Sequence, residues 1–178
     1  MRYRSKVLSL ILVVPFVLFL VSCGKDEPQK SYNDCLGKYS YDSPVCAMVY
    51  EPVEGEDGAY GIQYREVTDF EALKAQQEMP LLLYFYSSTA TDHNGITAGV
   101  EDLAQTLDGQ ILVVAVDSLQ QRDIVTAYGV EAIPEFVISS GGNKVSAFEG
   151  QNREVWSISD VTLWISENGY TPDMTKLE

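Results

Sequence analysis

The chain is short of sulfur, of imidazole and of positive charge. Its 178 residues include three cysteines, Cys23, Cys35 and Cys46, and one histidine, His93. A structural zinc site wants four thiolate or imidazole ligands, and one imidazole beside Asp92 does not begin to supply them, so no metal or other cofactor is expected. Twelve Lys and Arg stand against 26 Asp and Glu, a net charge of -14. Phosphate backbones are bound by basic faces, which excludes nucleic acid as a partner. The acids are scattered rather than gathered in runs and give no calcium-binding pattern. No uninterrupted apolar run reaches the ~20 residues that span a bilayer. What is present is 46% apolar and 21% charged, the make-up of one packed domain with appendages.

The first residues are unlike the rest. Arg2, Arg4 and Lys6 precede Val7 to Val21, nearly all apolar and broken by Ser9 and Pro15, which reads as the start of a secretory signal. The run ends in Leu20-Val21-Ser22-Cys23. That resembles the lipobox of bacterial lipoproteins, in which the cysteine is lipidated and becomes the first residue; an ordinary secretory signal with a chance cysteine is the alternative. The resemblance implies removal of residues 1–22, a thioether-linked lipid on Cys23 and a polar tether over 23–31. Removal takes away three basic groups and no acidic one, so attachment to the bilayer rests on the acyl chains, at ~0.8 kcal/mol per methylene. Gly24 fits outer-membrane sorting as in enteric bacteria, and Lys25-Asp26-Glu27 resembles the acidic tag of some surface lipoproteins. The expected location is a bacterial cell envelope, lipid-anchored at the outer membrane, periplasmic or surface-exposed.

In an exported chain the remaining pair, Cys35 and Cys46, reads as a disulfide, closing a short loop and contributing about 2–4 kcal/mol. Residues 32–61 hold Tyr39, Tyr41, Asp42 and Pro44 and read as a small turn-rich extension stapled by that bond. The run from Cys46 to Gly61 faintly resembles Kazal-type inhibitor modules. Glu54 replaces one of their cysteines and most others are missing, so inhibition does not carry over; a hairpin around Glu56-Asp57-Gly58 is expected instead.

From Ile62 the order β-α-β-α-β-α-β-β-α emerges. Ile62 to Val67 suits a strand, and Thr68-Asp69-Phe70-Glu71 suits a capping box for a short helix through Gln77. Leu81 to Tyr86 and Ile111 to Val116 are continuous apolar runs, as in strands buried on both faces. Val100, Leu103, Ala104 and Leu107 mark one stripe of a helix. A helix over Asp123 to Tyr128 stops at Gly129. Glu135–Ser139 and Lys144–Phe148 flank Gly141-Gly142-Asn143 as a hairpin. Val155, Ile158, Val161 and Ile165 mark a last helix, in which Trp156 and Trp164 serve packing. The expected fold is α/β, a mixed central sheet flanked by helices over 62–170, with a tail over 171–178.

Pro80 to Ser87, followed by Tyr128-Gly129-Val130-Glu131-Ala132-Ile133-Pro134-Glu135-Phe136, resembles thioredoxin, over about Ile62 to Asn168. The resemblance implies the thioredoxin-like fold and a cis peptide before Pro134, facing the active loop. Members reduce disulfides with a Cys-x-x-Cys motif at the helix after the central strand, where a lowered pKa yields a thiolate. Aligned on Phe85-Tyr86-Ser87, that motif falls on Ala90, Thr91, Asp92 and His93, with no sulfur at either cysteine position. Tyr84 stands where the family keeps a buried acid.

The loop's hydroxyls, Ser87, Ser88, Thr89 and Thr91, with Asp92 near a helix start, suit either a small anion or simple capping by Thr91 or Asp92. Glutathione transferases share the fold, but the chain lacks room for their helical domain. The expected function is a redox-inactive binding or scaffolding module for a protein or peptide, held to the bilayer through Cys23; the alternative is a thiol-disulfide exchange enzyme using Cys35 and Cys46. No catalytic residue is assigned under the first.

Overall fold

The structure, a computed structural model, describes residues 30–90 and 95–177. The signal peptide at 1–22, the lipidation site Cys23, and the tether up to residue 29 lie outside the described residues, as does Glu178. Besides short 3-10 turns, eleven α-helices and β-strands follow in order among the described residues: β1 (Leu36–Tyr39), β2 (Val45–Pro52), β3 (Tyr60–Val67), α1 (Phe70–Ala75), β4 (Leu81–Tyr86), α2 (Ile96–Thr106), β5 (Leu112–Asp117), α3 (Arg122–Tyr128), β6 (Glu135–Ser140), β7 (Asn143–Ala147) and α4 (Ile158–Glu167). From β3 onward this is the order read from the sequence. Among the described residues no helix is long and apolar enough to cross a membrane.

All seven strands join one sheet, β1-β3-β2-β5-β4-β6-β7. β4 and β5 run parallel and the other pairs antiparallel. Alternation along β4 divides the core in two. Leu82 and Tyr84 face α2 and α4, against Val100, Leu103, Val161 and Trp164. Leu81, Leu83 and Phe85 face α1 and α3, against Leu73 and Tyr128. Continuous apolar strands are what a sheet covered on both faces requires.

Residues 32–61 are not a separate extension. β2 lies at the heart of the sheet, paired on one side with β5 and on the other with β3. The run Val45-Cys46-Ala47-Met48 is buried on both faces, a feature hidden by the turn-rich residues on either side. The expected hairpin exists: β2 and β3 meet through Val53–Ala59, where Val53 N–H donates to Ala59 O at 2.9 Å.

Several boundaries differ from the sequence reading for identifiable reasons. Thr68 does not cap α1; its hydroxyl donates to Cys35 O at 3.0 Å, and Asp69 caps instead, accepting from Ala72 N–H at 3.0 Å. Helix α1 stops at Ala75 because the buried Gln76 turns its amide onto the following loop, accepting from Glu78 and Met79 N–H at 2.7 and 2.9 Å. Helix α4 begins at Ile158, where Ser157 and Asp160 form the reciprocal capping box. Val155 precedes that cap and is 85% exposed. Gly141 and Gly142, at φ +53° and +79°, supply the two left-handed residues that a tight β6–β7 turn needs. The tail after α4 is docked: Asp173 N–H donates to Thr106 O at 2.8 Å, and Lys176 pairs with Asp108 at 3.0 Å.

Candidate functional site

The site forms where β4 runs out. Phe85 pairs with Glu135, so the next step of the same register sets Tyr86 beside Pro134. The loop that follows Tyr86 therefore opens next to the Ile133–Pro134 peptide, which is cis. Ile133 is 40% exposed, and Pro134 is exposed with it.

Of the loop, residues 87–90 and Gly95 are described; Thr91, Asp92 and His93 lie outside the described residues. Ala90 is exposed, its N–H donating to Ser87 O at 3.1 Å to close a turn. Ser87 Oγ accepts from Thr89 N–H at 3.3 Å and lies 3.1 Å from Thr89 Oγ1. Helix α2 opens with Gly95, φ +64°, in the cap position, so that position belongs to neither Thr91 nor Asp92.

Ser88 reaches under the loop. Its hydroxyl donates to Asp117 Oδ2 at 2.7 Å. Asp117 ends β5 and is 1% exposed. It also accepts from Gln120 Nε2 at 2.7 Å and Leu119 N–H at 3.0 Å. Burial pushes its pKa up, but these donors outweigh burial and hold the carboxyl below its ordinary range. The acid thus fastens the loop to the turn into α3, and it went unrecognised in the sequence. Its signal was an Asp closing a strand buried on both faces. Glu135, directly after Pro134, is also buried. Burial raises its pKa, Lys144 opposes the rise and Glu131 adds to it.

At the position of the family's buried acid, Tyr84 stacks between Tyr86 and Phe136, with ring centroids at 5.6 and 5.1 Å. An aromatic phenol takes the place of a carboxyl group.

Cys35 and Cys46 form no disulfide; both thiols are free and buried. The order β1-β3-β2 puts a whole strand between them, about 9–10 Å across two strand spacings, beyond the reach of a disulfide. They also face opposite ways. Cys35 packs with Leu83 and Phe85 on the α1/α3 side, whereas Cys46 alternates with Val45 and Ala47 and shares the side of Met48. The exported-chain pattern counted residues along the chain and could not see β3 inserted between them. Burial raises both thiol pKa values, aided at Cys35 by Asp69 and opposed at Cys46 by Ser43. Cys46 Sγ donates to Ser43 O at 3.1 Å, Cys35 Sγ to Ser31 O at 3.4 Å. Neither thiol lies in the loop: Cys46 sits on β2, two strand spacings or about 9–10 Å from β4, which carries the loop, with Ala115 between. Among the described residues, no group of three or more His, Cys, Asp or Glu side chains could hold a metal.

The thioredoxin family model matches residues 62–161, more than half of the chain. The chain belongs to the thioredoxin family. It is 29% identical to Thioredoxin 1 of Nostoc over 87 residues, 48% of this chain and 81% of that protein. It is 28% identical to the chloroplastic Thioredoxin Y of rice, Oryza sativa subsp. japonica, over 83 residues, 47% of this chain. The chain spans about half of the rice protein, 49% of its length. Among solved structures, the oxidised thioredoxin of Plasmodium falciparum aligns with 56% of this chain and 88% of its own, at 15% identity and a TM-score of 0.46.

Proposed function

We propose that this thioredoxin-family protein is redox-inactive and serves as a protein- or peptide-binding module, anchored in a bacterial envelope through lipidated Cys23. One observation carries the reading: Ala90 and the cis Ile133–Pro134 peptide lie exposed at the end of β4, while the thiols of Cys35 and Cys46 are free and buried. Exposed Ile133 and Pro134 beside the turn at Ser87–Ala90 offer an apolar, backbone-lined edge of the kind that takes extended peptides. The anchor and its envelope location rest on the lipobox alone. The names of the relatives favour a redox function, and the rival reading is thiol-disulfide exchange by Cys35 and Cys46. Against it, an exchanging pair must approach to bonding distance, and a nucleophilic thiol needs a lowered pKa and exposure.

The test is photo-crosslinking in intact cells from a crosslinking residue at Ala90, followed by mass spectrometry. One protein recovered, and lost with Ile133→Arg, fits the proposal. Recovery of nothing specific would make the domain a passive structural part.

A further inference from the structure

The sheet edge farthest from β7 carries a strip of tyrosines. Tyr60, Ile62 and Tyr64 alternate along β3 toward the α2/α4 side, with Tyr50 beside them on β2. Tyr39 and Tyr41 complete the strip. Tyr41 lies 4.9 Å from both Tyr39 and Tyr64 between ring centroids, and Tyr50 lies 5.7 Å from Tyr60. Tyr39, Tyr41 and Tyr60 are 49, 62 and 58% exposed. Aromatic rings packed edge-on and tilted against one another, and left this open to water, are a feature of contact surfaces rather than of a finished core.

Carboxylates are interleaved with the rings. Glu101 on α2 accepts the Tyr64 hydroxyl. Asp42 and Glu66 are exposed, and both act on the Cys46 thiol between them. Lys38, next to Tyr39, is exposed. The protein shows how such a ring is used: the Lys176 ammonium sits over Tyr50, 5.8 Å from its centroid.

We propose that this strip docks a cationic segment of a partner protein, one presenting Lys or Arg side chains to Tyr39 and Tyr41. Ring faces attract cations through their quadrupole, and Asp42 and Glu66 supply full charges at the same place. The net charge of -14 steers a basic partner inward and turns an acidic one away. A purely apolar partner would cover the two carboxylates without pairing them, which costs free energy. The strip lies on and beside β1, β3 and β2, with β5 and β4 between it and β6, so it is separate from the edge at Pro134.

The test is fluorescence anisotropy with the full chain in mild non-ionic detergent. The probe is a labelled decapeptide of alternating Lys and Gly, compared with its Glu-Gly counterpart and with maltoheptaose. Saturable binding of the Lys peptide alone is expected. It should weaken at least tenfold with Tyr39→Ala plus Tyr41→Ala, and with Asp42→Asn plus Glu66→Gln. It should survive the paired Tyr→Phe changes and Ile133→Arg. Circular dichroism confirms that each variant is folded. Lys-peptide binding indifferent to the Tyr→Ala pair would overturn the proposal, as unspecific attraction to an acidic surface. No binding, or tyrosine-dependent binding of maltoheptaose instead, would overturn it equally.

Discussion

Ser88 and Asp117 join the loop of the site to the floor beneath it, through a 2.7 Å hydrogen bond to a carboxylate that is 1% exposed. Asp117→Asn keeps the shape, removes the charge and turns one accepting oxygen into a donor, facing either the Ser88 and Gln120 donors at Oδ2 or the Leu119 N–H at Oδ1. A loss of about 1–3 kcal/mol at pH 7 is expected, from buried groups left unpaired. Because the folded pKa of Asp117 is lowered, its contribution is complete above the unfolded carboxyl pKa of about 3.9 and fades as pH falls through the folded value. Urea melts of the wild type should therefore show stability falling with acid below about pH 4, and those of Asp117→Asn less of that fall.

Glu135 has the opposite sign. Its folded pKa is raised, so its favourable contribution belongs to the protonated form and is lost as pH rises through the folded value. Glu135→Gln should raise the melting temperature at pH 7 by a few degrees and leave it nearly unchanged at pH 4. Lys144→Met should lower it at pH 7, because the opposing charge is gone.

The two buried thiols make a simple prediction. A thiol reagent such as dithionitrobenzoate should label Cys35 and Cys46 only on unfolding, and a reductant should leave the melting curve unmoved. A bridge across that segment would instead cost about 2–4 kcal/mol on reduction.

Gly99 on α2 packs closely against Ile158, the first residue of α4. A Cβ there would lie 2.7 Å from Ile158 Cγ1 and 3.0 Å from its Cβ. Gly99→Ala should destabilise by about 1–3 kcal/mol, although alanine is intrinsically better in a helix by about 1 kcal/mol. The double variant with Ile158→Ala should recover part of the loss, and a thermodynamic cycle measures how much.

Much of the fold was legible because local pattern and tertiary demand agree. Leu81 to Tyr86 could be read as a doubly buried strand, Val100 to Leu107 as a helix stripe, and Gly129 as a helix stop, each from neighbouring residues alone. What escaped depends on partners distant in sequence. β2 looked like part of a turn-rich loop until β5 and β3 supplied both its neighbours. Cys35 and Cys46 looked paired because their separation along the chain says nothing of a strand threaded between them. At the site, Pro134 and the sulfur-free loop were visible as motifs. The Ser88–Asp117 bond spans 29 positions, and no local periodicity marks it.

If the proposed function holds, this thioredoxin-family site carries no electron exchange. The direct measurement is reduction of insulin disulfides by dithiothreitol, with the full chain as catalyst beside its Cys35→Ser and Cys46→Ser variants. A rate equal to that of dithiothreitol alone is expected for all three. A faster rate in the wild type that either serine substitution abolishes would contradict it.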